Sequence, residues 1–496
     1  MSKRQMMKFM SGLVTVVLSA LLMVGCGSMG GGGTSTTTPP ATPGSLVTFG
    51  SDAPICDVES FEVTITSASL VPKGGGTPVS IITSAAPASV DFARLVDFTS
   101  ILGTASVTPG TYSQLQMTLS NPQLTVLNTA TTPPSPQSVT TTLTTQNFTL
   151  NINPALTISS GTTSGLTMDF NLRKSVQVDG SGQVTGTVDP QFTLTPATVS
   201  GTTVGEADTL YGVVQSVTTT SSNPAFTGSF ALQVHGGVGQ VLTVDVTSST
   251  DFEGDGVTSL SDLTAGTFVE VDVVVDTSGD IVAQEVDAEE QVSAATQRSA
   301  FLGQVIAVTR DASGNATQFN LLVEDEVPDL SGEIPLHSAL TVTLTSSTHY
   351  WTNWHRWNRM ALQFGPQTLG LAQKVAVHGI LGSGSSPTLT AHQVFLRPRN
   401  VLGNFNTLLA AQSDDKTGGF TMVPCGALFG GHAITVLTYP DTRFNAVGGL
   451  TELTPAPTLN TYGVFFYEQT NGQANGAAWT APTWVMQAKG VHQLPN

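Results

Sequence analysis

Apolar and polar residues alternate along most of the chain after residue 45. In Phe61-Glu62-Val63-Thr64-Ile65-Thr66 every second residue is apolar, which is the period of a half-buried antiparallel strand. Leu115, Met117 and Leu119 repeat the pattern against Gln114, Gln116 and Thr118, and Phe148, Leu150 and Ile152 do so again. Turn clusters such as Gly74-Gly75-Gly76, Pro109-Gly110 and Asp179-Gly180 punctuate these runs. Only residues 88–102 (ASVDFARLVDFTSIL) predict a short helical turn. So many short strands over 46–200 predict a two-layer sandwich. Pro109-Gly110-Thr111-Tyr112 reads as a turn followed by a Tyr whose ring caps its core.

Beyond residue 200 the pattern recurs three times. Tyr211-Gly212-Val213-Val214, Leu302-Gly303-Gln304-Val305 and Leu402-Gly403-Asn404-Phe405 each open a unit. VDVTSSTDF (244–252), VTLTSSTHY (342–350) and TVLTYPDTRF (435–444) follow in the same order. A third element alternates, with Val269, Val271 and Val273 inward and Glu270 and Asp272 outward in the first unit. Lys374 to Leu381 and Tyr462 to Glu468 take its place in the others, and IVAQEV (281–286), LTAHQV (389–394) and WVMQAK (484–489) close the series. Ordered matches of this kind predict tandem domains at 209–290, 301–397 and 401–493.

Asp52-Ala53-Pro54, the strand from Phe61 to Leu70, residues 90–120 and MDFNLRKSVQV (168–178) together resemble the bacterial domain-of-unknown-function family 4382. The resemblance covers most of 46–198 and implies a β-sandwich with no assigned activity. The three later units resemble the domain-of-unknown-function family 5666, the first most closely and the third least, which implies small barrels of OB type. The expected fold class is all-β: an N-terminal β-sandwich followed by tandem small OB-like barrels, which leave little open sheet edge.

The N-terminus reads as an address. Lys3, Arg4 and Lys8 precede an apolar run from Leu13 to Val24, the layout of a secretory signal over residues 1–26. Met23-Val24-Gly25-Cys26 resembles the bacterial lipobox, with Met23 where Leu is usual. The resemblance implies lipidation of Cys26, and Gly27 after it implies the outer membrane. Residues 27–45, rich in Gly, Ser, Thr and Pro, predict a flexible tether.

Charge narrows the partners. The chain has 496 residues, with 17 Lys+Arg against 35 Asp+Glu and a net charge of −18. That balance argues against nucleic acid, whose phosphates need a basic surface. Residues 209–290 carry 8 Asp and 5 Glu with no Lys or Arg. Within them Asp251, Glu253, Asp255 and Asp262 fall at positions 1, 3, 5 and 12 of a window with Gly256 at 6, the spacing of a Ca²⁺ loop. Glu at position 3, Asp at 12 and strand-like flanks depart from that pattern, and a solvated turn is the plain alternative. Trp351, Trp354 and Trp357 would line one side of a helical segment as a partner-binding row for sugar or protein, or pack onto their own barrel. His349 and His355 stand beside them as a metal pair lacking a third ligand.

With Cys26 lipidated, Cys56 and Cys425 are left either to pair in an oxidising compartment or to remain isolated thiols. No G-x-S-x-G, H-E-x-x-H, C-x-x-C or G-x-x-x-x-G-K motif occurs. The sequence therefore predicts a non-enzymatic, membrane-anchored envelope lipoprotein presenting β-domains to glycan, peptide or protein partners. The competing readings are a glycan-active hydrolase whose carboxylate pair has no short signature, and a calcium-stabilised spacer.

Overall fold

The computed structural model describes residues 42–53, 55–95, 99–128, 130–180, 183–234, 241–254, 256–291, 298–327, 334–352, 362–383, 387–454 and 458–494. Strand dominates the described residues and helix is confined to short turns, as the alternating pattern predicts. In the N-terminal sandwich one half of a ten-stranded sheet holds Val79–Ile82, Val58–Pro72, Gly110–Asn128 and Asn147–Ile158. The other half holds Phe192–Pro196, Thr163–Asn171, Gly44–Ala53 and Ser100–Val107. They join through one parallel pair, Ile152 with Leu194, so the sheet folds over its own core. Phe61 from the first half stacks on Phe170 from the second at 5.3 Å, and Phe92 and Phe192 pack on Phe170 at 4.6 and 4.8 Å. Tyr112 is buried and donates its hydroxyl to the Thr108 carbonyl at 2.6 Å, which pins the preceding turn.

The helical turn expected in 88–102 is a 3-10 turn, Phe92–Leu95, between two strands. A second turn, Leu172–Ser175, is not apparent from periodicity. It forms because Asn171 accepts from the Lys174 amide and Asp52 accepts from the Leu172 amide, both at 2.9 Å.

Each later unit is a closed barrel. In the first, Thr203–Thr218 pairs antiparallel with Gly228–Val234 and with Thr267–Asp276; Val241–Val246 pairs with the second strand, and Ile281–Gln291 with the fourth. A parallel contact between Asp245 and Val282 shuts the circle, giving the strand order 1-2-3-5-4-1 of a five-stranded Greek-key barrel. The second barrel (Ser299–Arg310, Ala316–Val327, Ala339–Thr343, Lys374–Leu381, Thr388–Arg397) and the third (Arg399–Ala411, Gly418–Pro424, Ile434–Thr438, Thr458–Glu468, Thr483–Gln493) repeat this order. A short sixth strand runs parallel to the last in each: Asp251–Gly254, His349–Thr352 and Arg443–Asn445.

The repeated sequence elements have physical reasons. A Cβ at the opening Gly212, Gly303 or Gly403 would lie 2.4, 2.0 or 2.6 Å from a carbonyl oxygen of the second strand, so only glycine lets the strands close. The Thr of the second element clamps the barrel. Thr250, Thr348 and Thr442 donate their hydroxyls to the carbonyls of Ala283, Ala391 and Ala488 at 2.8, 2.9 and 2.9 Å. This equivalence corrects one match: in the third unit Met486 to Val491, rather than residues 484–489, occupies the place of IVAQEV. The parallel pairs Asp245 with Val282, Thr343 with Thr390, and Leu437 with Gln487 give the same two-residue offset.

The bodies are not beads in series; Ala41–Asn496 forms one compact unit. Phe49 of the sandwich packs into the core of the first barrel, where a Cβ on Gly205 would sit 2.5 Å from its ring. Only Pro398 separates the last strand of the second barrel from the first strand of the third. Replacing Gly303 by Ala should lower stability by about 1–3 kcal/mol, because the added methyl must displace backbone. A denaturant titration checks it; unchanged stability would mean that the strands can separate there at no cost.

Candidate functional site: a charged cavity where three bodies meet

Cations are scarce, and several sit between bodies. Arg397, 2% exposed, reaches from the second barrel to Glu270 at 2.6 Å and Asp287 at 3.0 Å on the first. Its guanidinium also lies over the rings of Tyr211 and Phe395. Glu270, outward-facing in the sequence pattern, is therefore buried by its neighbour. Next to it His378 packs on Phe268 and Phe395, and burial, aided by Arg298, pushes its imidazole down to about 3, so it is neutral. Between the second and third barrels Gln373 donates to the Phe465 carbonyl at 2.7 Å, Trp484 donates to the Leu371 carbonyl at 2.9 Å, and Arg310 covers the Tyr467 ring.

The sandwich closes the assembly. Arg94 meets Asp325 at 3.4 Å and the Glu324 carbonyl at 3.1 Å, both on the second barrel. Asp57 accepts from the Ala427 amide of the third barrel at 2.8 Å. Cys56 and Cys425, left open by the sequence, form a disulfide across 369 positions with a Cα separation of 5.7 Å. Ser60 lies 3.1 Å from His337 Nε2, and Asp91 lies 4.0 Å from the same nitrogen. Both partners share one ring nitrogen and Ser60 is 1% exposed, so this is an interdomain contact without the geometry of a nucleophilic triad.

These contacts border a cavity of about 150 Å³ that opens to solvent, lined among others by Asp57, Glu59, Arg94, Gln304, Glu324, Lys374, Arg399 and the disulfide. Its two glutamates differ in proton affinity. Burial pushes the Glu59 carboxyl up to about 7; Arg399 opposes the rise, and Glu324 and Asp57 add to it. Burial acts in the same direction on Glu324, but Lys374 at 2.8 Å, then Arg94 and Arg399, hold it below its ordinary value. The cavity thus holds one carboxyl that exchanges its proton near neutrality beside one that stays ionised.

The residues singled out in the sequence lie elsewhere. Asp251 and Glu253 stand on a strand, and Asp262 commits its Oδ2 to the Thr258 amide and to the hydroxyls of Thr258 and Ser259 within a 3-10 turn. Asp255 lies outside the described residues. Among the described residues no group of three His, Cys, Asp or Glu side chains is placed to hold a metal ion. Trp351 is on the strand His349–Thr352, not on the expected helical segment, and is 36% exposed. Trp354, Trp357 and His355 lie outside the described residues, as does Cys26. No sequence motif marks Glu59, Glu324 or Arg399, since they come from three bodies; the scarcity of cations was the one available signal.

Residues 44–186 match the family described as Domain of unknown function (DUF4382). The match fits the sandwich resemblance and carries no activity. No curated protein matches the chain. The DUF4382 region ends before the strand Phe192–Pro196, although that strand completes the ladder with Thr163–Asn171.

Glu59 is raised above its unfolded value of about 4.5, so its proton is bound more tightly when folded. The carboxyl therefore weakens folding progressively from about pH 4.5 to 7, and fully above that. Glu59→Gln should gain about 1–3 kcal/mol over wild type at pH 8 and nothing at pH 4. Paired melts at the two pH values check the sign. Cys425→Ser should lose about 2–5 kcal/mol through the freed junction, and peptide mapping without reductant should recover Cys56 and Cys425 joined.

Proposed function

We propose that the chain is a lipid-anchored protein of the bacterial cell envelope with a non-catalytic structural or binding role, holding a rigid β platform near the membrane. The observation that carries this reading is the fusion of the DUF4382 sandwich and three barrels through shared cores, buried ion pairs and the Cys56–Cys425 disulfide. A disulfide of this kind suits an oxidising compartment outside the cytoplasm. The Cys26 lipobox supplies the anchor and Gly27 the outer-membrane assignment; the tether runs from residue 27 to the first strand, which begins at Gly44 rather than after residue 45. The 1-2-3-5-4-1 strand order supports the likeness of the three units to family 5666. OB-type barrels use the face of strands two and three for oligomeric ligands. In the first barrel that face presents Ser229, Ala231, Gln233, Val241, Thr243 and Asp245, a mixed polar and apolar surface without a cation, suited to glycan or peptide rather than nucleic acid.

The hydrolase reading has one observation in its favour, the divergent glutamates of the junction cavity. Its volume, however, suits a ligand of a few atoms rather than linked sugar rings, and Glu324 is already ion-paired. Binding is the better reading.

Labelled palmitate should enter the wild-type protein expressed in a Gram-negative host and be lost in Cys26→Ala, which should leave the membrane fraction. Palmitate-free wild type, or a Cys26→Ala protein still sedimenting with membranes, would end the anchor proposal.

A further inference from the structure

We propose that the three-body cavity is a binding site for a small zwitterion, a free α-amino acid of about six non-hydrogen atoms such as alanine. The charges lining it do not all pair with one another. Lys374 takes Glu324 at 2.8 Å, and Arg94 takes Asp325 and the Glu324 carbonyl. Asp57 is committed to the Ala427 amide, which leaves Glu59 and Arg399. Among the described residues Glu59 has no side-chain hydrogen bond and no ion pair within 4.0 Å. Arg399, in the cavity wall, donates Nη1 to the Ala372 carbonyl at 2.7 Å and Nε to its neighbour's carbonyl at 3.2 Å, and Nη2 takes part in neither bond.

An acid and a base that face one space without meeting match a molecule bearing both charges, its carboxylate on Arg399 and its ammonium on Glu59. Gln304, buried in the wall, offers a neutral donor and acceptor. The size also fits, because a cavity of about 150 Å³ accommodates a six-atom ring such as benzene. Acids and bases lining the cavity balance at three each (Asp57, Glu59, Glu324 against Arg94, Lys374, Arg399), which disfavours a dianion such as phosphate. Glu59 and Arg399 are partly exposed, so solvent reaches them.

Burial gives Glu59 its high proton affinity, and no cation stands within pairing distance to offset it fully. An ammonium group would supply one and favour the ionised carboxyl. Asp57, Arg94, Glu324, Lys374 and Arg399 are the charged groups facing it; none of the remaining wall residues titrates. Amino-acid affinity is therefore expected to rise from pH 6 to pH 8. Binding in this cavity does not depend on the membrane anchor.

Equilibrium dialysis of the purified, oxidised full chain against labelled glycine, alanine and serine tests it. At least one should bind once per chain, with a Kd between about 10 μM and 1 mM. Glu59→Gln at pH 8 and Arg399→Gln should each weaken it at least about tenfold, and acetate and ethylamine, with one charge apiece, should bind at least about tenfold less tightly. The proposal is overturned if none of the three amino acids saturates below about 10 mM. It is equally overturned if acetate or ethylamine matches them, or if Glu59→Gln binds as wild type does. Should Arg399→Gln fail to fold, the Glu59 variant and the single-charge ligands decide the question.

Discussion

Arg397 held between Glu270 and Asp287 is the contact on which the architecture turns. A guanidinium 2% exposed cannot remain there unless its carboxylates stay with it, because an uncompensated buried charge costs several kcal/mol. Arg397 belongs to one barrel and both acids to another, so neither barrel presents a finished surface alone. The same logic holds where Arg94 leaves the sandwich for Asp325 and where Asp57 caps an amide of the third barrel. In a chain with 17 cations, three of them before residue 9, siting so many between bodies makes the interfaces obligatory.

Chain geometry reinforces this. A one-residue connection at Pro398 gives the second and third barrels no freedom to reorient. The disulfide from Cys56 to Cys425 then returns the end of the chain to its beginning, and the cavity forms where that circuit closes. A site built from three bodies exists only while all three are docked, which links occupancy of the cavity to integrity of the whole.

Much of the fold was legible in the sequence because a strand has period two and needs one dry face. Phe61 to Thr66 and Val269 to Val273 state that face directly. Repeat spacing revealed three similar units, and the structure supplies the causes, a glycine under a carbonyl and a threonine clamping an alanine carbonyl. What failed has physical grounds. Glu270 reads as outward because periodicity describes one barrel and is silent about what docks against it. WVMQAK shares with IVAQEV a Val at its second and a Gln at its fourth position, so the sequence match falls two residues early, whereas the clamp falls on Ala488. The calcium spacing in 251–262 stands apart from these, because Asp255 lies outside the described residues; Asp251 and Glu253 lie on a strand and Asp262 closes its own turn. Glu59, Glu324 and Arg399 share no local pattern, so only tertiary structure brings them together.

Sandwich and barrels are one cooperative folding unit held by buried interdomain charge. Differential scanning calorimetry of the oxidised chain at neutral pH tests this most directly. A single transition with calorimetric and van't Hoff enthalpies close to equal is the expected result. Two or more resolved transitions, with the barrels melting separately, would contradict it.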